Sequence, residues 1–179
     1  MATVNLHPSA TVGVINPWTI VGGSGTVHEN LADSDDSSLI RTNAINKDAF
    51  MELDDYTAGG TVDSIRWYIR GVMYNTRSGD VDIQVILTNA SGVTHYAETA
   101  RLNFTAGYAP EDHYGTARAT PVGSSNPWSA AHLNELRLNI NTSIEDPPAV
   151  SFAQVVKAYV EVTYTAEAED NAVFFGTNF

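Results

Sequence analysis

The chain has 179 residues, 43% of them hydrophobic, with a formal net charge of −12 at pH 7 and no cysteine. This length predicts one domain, because two half-sized domains would each bury too little surface to be stable. The negative charge repels phosphate groups and anionic lipids, so no direct nucleic-acid or membrane binding is expected. The lack of cysteine excludes disulfides, thiolate catalysis and zinc–thiolate sites.

Residues 1–17 are loosely patterned and are predicted to form an N-terminal arm or an edge strand, with a short strand at residues 11–15. The segment has neither the basic start nor the apolar run of a secretory signal peptide. No stretch elsewhere approaches the roughly 18 apolar residues of a membrane span. We therefore expect a soluble protein that does not follow the secretory route.

The next part of the chain predicts short strands around an acidic loop. Residues 27–31, 38–45 and 49–53 are predicted strands. The carboxylates between the first two are the weak candidates for a Ca²⁺ site: Asp33, Asp35 and Asp36. No glycine or bidentate glutamate falls at the offsets of an EF-hand, so a solvated turn is the favoured interpretation and no cofactor is expected.

The strongest strand signal covers residues 61–76, where Trp67 shares an apolar face with its neighbours two residues away and is predicted to be buried. The opposite face offers the best aromatic and cationic surface for a subunit contact, or else the inner wall of the second sheet: Arg66, Tyr68, Arg70 and Tyr74. A turn at residues 77–80 leads into alternation over residues 81–87, which predicts a hairpin. A further strand at residues 93–104 would complete a meander.

Residues 105–126 have weak periodicity and predict a long loop with one edge strand near residues 114–119. Asn126-Pro127-Trp128-Ser129 then predicts the start of a short helix, because Asn and Ser are good N-caps and proline fits the first turn. A strand containing Leu138 follows, and clear alternation over residues 154–165 predicts the closing strand.

Many short strands, one small helix and no regular strand–helix alternation predict an all-β fold. The architecture expected is a two-sheet antiparallel β-sandwich of jelly-roll type, with one short α-helix near residues 128–136. The sandwich should span residues 18–165 and leave residues 166–179 as a C-terminal tail. The apolar end of that tail supplies candidate subunit contacts: Phe174, Phe175 and Phe179.

Motifs that would indicate catalysis are missing. The five histidines are dispersed without a paired-ligand spacing, and there is no Gly-x-Ser-x-Gly nucleophile elbow. Adjacent carboxylates such as Asp54 and Asp55 point to opposite faces of a strand, which does not suit a glycosidase pair. Trp18 and Trp128 each follow Asn-Pro and are predicted to close the ends of the sandwich. No enzyme is expected.

Two segments carry a family resemblance. Pro127-Trp128-Ser129-Ala130-Ala131-His132-Leu133-Asn134-Glu135-Leu136 and Ala158-Tyr159-Val160-Glu161-Val162-Thr163-Tyr164 resemble the jelly-roll structural proteins of tailed bacteriophages. In that family a tryptophan opens a short helix and a "YVEVxY" strand closes the sandwich. Trp18, Gly22 and Gly23 before an Asp-rich loop extend the likeness to the amino-terminal half.

The resemblance implies a virion component, for example a capsid decoration or cement protein that is assembled in the host cytoplasm. We expect it to form a homo-oligomer, with a trimer as the leading hypothesis, and to bind phage capsid or tail proteins. The alternative is a carbohydrate-binding module or a receptor-binding tail or fibre domain, because such jelly-roll domains also occur in carbohydrate-binding proteins.

Overall fold

The structure is a computed structural model that describes residues 1–12, 18–23, 25–32, 37–44, 47–74, 81–102, 109–142 and 152–167. Of Tyr74 and Val81 it describes the backbone alone. The strands described are β1 (Ala2–Leu6), β2 (Pro8–Thr11), β3 (Thr19–Val21), β4 (Leu39–Thr42), β5 (Asp48–Leu53), β6 (Thr61–Tyr74), β7 (Val81–Thr88), β8 (Thr94–Leu102), β9 (Glu111–Tyr114), β10 (Arg137–Asn141) and β11 (Phe152–Thr165). The helices described are α1 (Val27–Ala32) and α2 (Ala130–Asn134).

These strands form two antiparallel sheets. The first sheet has the order β3-β4-β11-β6-β9, with β1 also paired to β11, and the second has the order β2-β5-β10-β7-β8. From β4 onward, successive strands alternate between the sheets except for the β7–β8 hairpin, which is the winding of a jelly roll. The predicted all-β jelly-roll sandwich is confirmed.

Alternating side chains build the core between the sheets. On β6 the inward residues Ile65, Trp67 and Ile69 are at most 2% exposed, so the predicted burial of Trp67 is confirmed. On β11 the inward residues include Val160 and Val162, both fully buried. A register shift between Val155 and Lys157 marks a bulge, after which the odd-numbered residues up to Thr163 face outward.

Residues 2–11 take part in both sheets. β1 pairs with β11 in the first sheet, and β2 pairs with β5 in the second. His7 lies between the two strands, and its carbonyl accepts a hydrogen bond from the Asp54 backbone N–H at 2.8 Å. Of the strand predicted at residues 11–15, Thr11 is the last residue of β2 and Val12 lies outside any strand; residues 13–17 lie outside the described part.

The predicted hairpin between residues 61–76 and 81–87 is wrong. β6 pairs with β11 and β9, whereas β7 pairs with β8 and β10, so the two strands lie in different sheets. Alternation fixes which side chains of a strand share a face, but it does not determine which sheet the strand joins. The β7–β8 half of the predicted meander is present.

The strand predicted at residues 27–31 is also wrong, because this segment is helix α1. The backbone N–H of Thr26 donates to Glu29 Oε2 at 2.6 Å, as the reciprocal arm of a capping box. Leu31 is fully buried and Val27 is 6% exposed, so the helix covers part of the core. The signal Thr-x-x-Glu was present in the sequence.

The helix predicted near residues 128–136 is confirmed as α2. Ser129 is its N-cap and accepts a hydrogen bond from the His132 N–H at 3.2 Å. The edge strand predicted near residues 114–119 lies slightly earlier, as β9 at the edge of the first sheet. Neither helix is long enough to cross a membrane, a statement that covers the described residues.

Candidate binding face on the first sheet

Four aromatic rings form a row across the outer face of the first sheet. Tyr159 on β11, Tyr68 on β6 and Tyr114 on β9 are directly opposite one another in the strand register. His7, which follows β1, continues the row on the other side of Tyr159 at a ring-centroid distance of 5.4 Å. We call this row and its charged neighbours the tyrosine face; the neighbours are Arg66, Arg70, Asp112, Lys157 and Glu161.

The rings of the row cover one another. Tyr68 stacks on Tyr159 with centroids 4.2 Å apart and planes 19° from parallel, and the Tyr114 ring lies 5.1 Å away on the other side. The guanidinium of Arg66 lies 4.5 Å from the centre of the Tyr114 ring. Tyr68 is therefore only 6% exposed although it points outward, whereas Tyr114 at the end of the row is 47% exposed.

Two ion pairs flank the row. Arg66 Nε lies 2.7 Å from Glu161 Oε1 across β6 and β11, and Arg70 Nη1 lies 2.8 Å from Asp112 Oδ1 across β6 and β9. The Tyr68 hydroxyl donates to the same Asp112 oxygen at 2.8 Å. These contacts tie the orientation of the rings to the neighbouring charged side chains.

The electrostatics of this face follow from burial and hydrogen bonding. The hydrogen bonds from Arg70 and then from Tyr68 lower the pKa of the Asp112 carboxyl. Burial, reinforced by the Asp112 carboxylate, raises the pKa of the Tyr68 hydroxyl, so it stays a donor at neutral pH. The hydrogen bond to Glu161 raises the pKa of Arg66. At neutral pH the Tyr68 hydroxyl therefore remains a hydrogen-bond donor, and Asp112 and Arg66 remain charged.

The structure describes some of the predicted contact residues. Arg66, Tyr68 and Arg70 lie together on the outer face of β6, as the alternation predicts, and not on an inner wall. Tyr74 is the last residue of β6, and its side chain is outside the described part. The remaining predicted site residues also lie outside the described residues: Phe174, Phe175, Phe179, Asp33, Asp35 and Asp36.

Other residues of this face were not singled out from the sequence. Tyr159 could have been found, because it alternates in phase with Lys157 and Glu161 on the polar side of β11. Tyr114 and Asp112 could not, since only the pairing of β9 with β6 brings them beside Tyr68. His7 depends in the same way on the pairing of β1 with β11.

Two open clefts also contain ionisable groups. One of about 390 Å³ at the edge between β8 and β9 is lined by Glu98, Asp112 and His113, among others. Glu98 Oε2 accepts hydrogen bonds from the Tyr96 hydroxyl at 2.7 Å and from the Thr116 N–H at 2.9 Å, and Asp112 is held by the tyrosine face. The carboxylates of this cleft are thus engaged in internal contacts.

The other cleft, of about 460 Å³, lies beside β5 and the end of α2, and its lining includes four acidic residues: Glu52, Asp54, Asp55 and Glu135. Its one arginine, Arg137, donates to Glu52 Oε1 at 2.9 Å and to the Ala90 carbonyl at 3.1 Å. Across the part of the chain that the structure describes, no three His, Asp or Glu side chains are arranged to hold a metal ion.

Trp18 and Trp128 are each 3% exposed, and each anchors its indole N–H on a backbone carbonyl. Trp18 donates to Lys47 at 3.1 Å, and Trp128 donates to Arg118 at 2.9 Å. Buried indoles of this kind hold loops onto the sandwich and offer no ring face to a ligand.

No protein-family model and no curated protein matches the chain. The lectin domain of lectinolysin, solved in complex with the Lewis B antigen, is 17% identical with a TM-score of 0.36, over 92% of this chain and 93% of that one. An agarase is 8% identical with a TM-score of 0.46, over 94% of this chain and 25% of its own. An arabinose-bound α-L-arabinofuranosidase is 7% identical with a TM-score of 0.40, over 88% of this chain and 23% of its own. This chain thus spans about a quarter of each enzyme, and likenesses at these scores carry no argument about function.

Proposed function

We propose that the chain is a non-enzymatic structural protein of a tailed-phage particle, of the capsid decoration type, whose tyrosine face attaches to a neighbouring protein subunit. The observation that carries this proposal is the row of tyrosines framed by Arg66 and Arg70 on an open sheet face. Tyrosine and arginine are enriched at the energetic centres of protein interfaces, where they combine apolar area with hydrogen-bonding groups.

The orientation of the rings favours a protein partner over a sugar. A sugar binds an aromatic side chain by stacking on its flat face, whereas the faces of Tyr68 are occupied by Tyr159 and Tyr114. Arg66 approaches the Tyr114 ring as well. What the row presents to a partner is mainly ring edges and the charged groups beside them, which suit the mixed polar and apolar surface of a protein.

The assignment to a virion is supported by the phage-like sequence of α2 and β11. A protein that binds the assembled capsid lattice, and not its free subunits, stabilises the capsid, because its binding lowers the free energy of the assembled state alone. We propose a homo-oligomer, with a trimer as the leading form, located in the virion and bound to capsid or tail proteins. The tail at residues 166–179, with its three phenylalanines, would add apolar area to contacts between copies.

The experiment is co-sedimentation of the purified protein with capsids stripped of accessory proteins, with light scattering to measure its oligomeric mass. Tyr114→Ser should weaken capsid binding by at least tenfold. Val122→Ser is the matched control, since Val122 is 53% exposed and lies outside the tyrosine face, and its affinity should stay within twofold. The proposal is wrong if the unchanged protein does not sediment with capsids, or if both variants bind equally.

A second candidate is carbohydrate binding, as in a carbohydrate-binding module or a receptor-binding fibre domain. It is favoured by one observation, the 47% exposure of Tyr114 next to Asp112, a hydrogen-bond acceptor for hydroxyl groups. A glycan array decides it: saturable binding that Tyr114→Ser abolishes would support this candidate, and an array without binding would leave the structural role as the better one.

A further inference from the structure

We infer that the protein surface bound by the tyrosine face is acidic, and that Lys157 together with Arg70 contacts its carboxylates. The inference rests on the proposed function, because it specifies the chemistry of the partner for the same face. It is carried by the distribution of charge on this sheet and by the position of Lys157.

The tyrosine face is positive on a strongly negative chain. The whole sequence has 9 lysines and arginines against 21 carboxylates. Arg66, Arg70 and Lys157 bring three of these cations to one face, where they meet two carboxylates, Glu161 and Asp112. Among the charged neighbours named above the balance is three positive against two negative charges, and a further carboxylate, Asp54, acts on His7 at one end of the row, so an acidic surface is attracted mainly at Lys157 and Arg70.

Lys157 is the cation on this face that lacks a matching charge. Arg66 is paired with Glu161 at 2.7 Å and Arg70 with Asp112 at 2.8 Å. Within the described residues Lys157 forms no ion pair, and the residue directly opposite it on β6 is Arg70, another cation. Like charges opposite each other on neighbouring strands are unfavourable. A carboxylate bound between them would relieve that repulsion.

The aromatic row next to this pair favours an anion as well. Tyr159 follows Lys157 by two residues on the same face of β11, and Tyr68 lies opposite Tyr159. Tyr68 is only 6% exposed, so the partly exposed ring of Tyr159 supplies the aromatic contact here, and the edge of an aromatic ring is the positive end of its quadrupole. A carboxylate close to an apolar or aromatic side chain on the partner would fit both features.

The test measures binding of the full chain to an immobilised random copolymer of glutamate and tyrosine at low ionic strength. The wild-type protein should bind, and its affinity should fall as salt is added, because Lys157 and Arg70 are partly exposed and salt screens such contacts. Lys157→Glu should weaken binding by at least tenfold, and the neutral Lys157→Gln by less. Lys47→Glu is the matched control: Lys47 and Lys157 are the lysines of this chain, and both substitutions change the net charge equally.

The inference is overturned if the wild-type protein does not bind the copolymer, or if the two charge reversals have equal effects. Urea unfolding of each variant checks that the fold is intact. The capsid assay separates the two proposals. If Lys157→Glu binds capsids like wild type while Tyr114→Ser does not, the acidic partner is wrong and the structural role stands. If copolymer binding depends on Lys157 but no form binds capsids, the acidic partner stands and the virion role is wrong.

Discussion

The ring of Tyr68 stacks on the ring of Tyr159, with centroids 4.2 Å apart and planes within 19° of parallel, at directly opposed positions of β6 and β11. The stack leaves Tyr68 only 6% exposed on a face that is otherwise open. Side chains held in this way have little rotamer freedom left to lose when a partner binds, so the cost of ordering the interface is small. The tyrosine face is therefore preorganised by its own contacts.

Tyr68→Phe should lower the free energy of unfolding by about 1 kcal/mol. The substitution keeps the ring stack and removes the hydrogen bond from the Tyr68 hydroxyl to Asp112; because the Asp112 side chain is 46% exposed, we expect the value of an ordinary hydrogen bond and not the larger value of a bond to a buried charge. Urea unfolding measures the change. Tyr114→Phe is the control and should cost less than about 0.5 kcal/mol. Equal effects of the two substitutions would contradict the role given to the Asp112 bond.

Gly115→Ala should destabilise the fold by roughly 1–3 kcal/mol, because a Cβ at this position would overlap Trp67 Nε1 and the buried indole would have to shift. Trp67→Phe removes the Nε1 atom of this contact and leaves a smaller ring with more room to shift. A double-mutant cycle should therefore show that Gly115→Ala costs less in the Trp67→Phe background. If the two substitutions change the free energy of unfolding additively, the contact with Trp67 is not what disfavours a side chain at position 115.

Acid should weaken the fold below about pH 6.5 through half-buried histidines. Burial is the main cause that lowers the pKa of His7, His95 and His113 from the usual 6.5. Such a group binds protons more readily in the unfolded chain, so its contribution to stability is complete above pH 6.5 and is lost as the pH falls toward the folded-state pKa. The urea midpoint should be level above that value and decline below it.

His7→Phe tests this assignment, because it keeps a ring against Tyr159 and removes one titrating group. Lys157 also lowers the pKa of His7, and Asp54 raises it. The variant should lose less stability between about pH 6.5 and 5.5 than the wild type. The Asp112 carboxyl affects stability in a separate, lower pH range. Its pKa is lowered in the folded protein, so its contribution to stability is lost only as the pH falls below 3.8, the ordinary pKa of an aspartate. An unchanged profile in the variant would exclude His7 as a contributor.

The Arg66–Glu161 pair should contribute about 0.5 kcal/mol of coupling in a double-mutant cycle with Arg66→Gln and Glu161→Gln. The two charges are only 2.7 Å apart, but solvent screens their attraction, since the two side chains are 37% and 19% exposed. The measurement is urea unfolding at low and high salt. Coupling above about 2 kcal/mol that is insensitive to salt would show that the pair is more buried than its exposure indicates.

Local pattern predicted much of the architecture correctly. The faces of β6 and β11 follow from period-two alternation, and α2 follows from the cap at Ser129, although Pro127 lies before that cap and not in the first turn. The error at α1 was avoidable, because Thr26 and Glu29 have the spacing of a capping box. Arg66, Tyr68 and Arg70 were placed on one face from β6 alone, because residues two apart on a strand share a face whatever the strand pairs with.

The sequence by itself determined the all-β class, the buried face of each long strand and the positions of the polar side chains along β6 and β11, because these properties depend on residues within a few positions of one another. The tertiary structure alone decided that β6 and β7 belong to different sheets and that His7, Tyr159, Tyr68 and Tyr114 form one row. Strand partners and register are set by contacts between distant segments packed around a shared core, and local periodicity does not encode which segments those are.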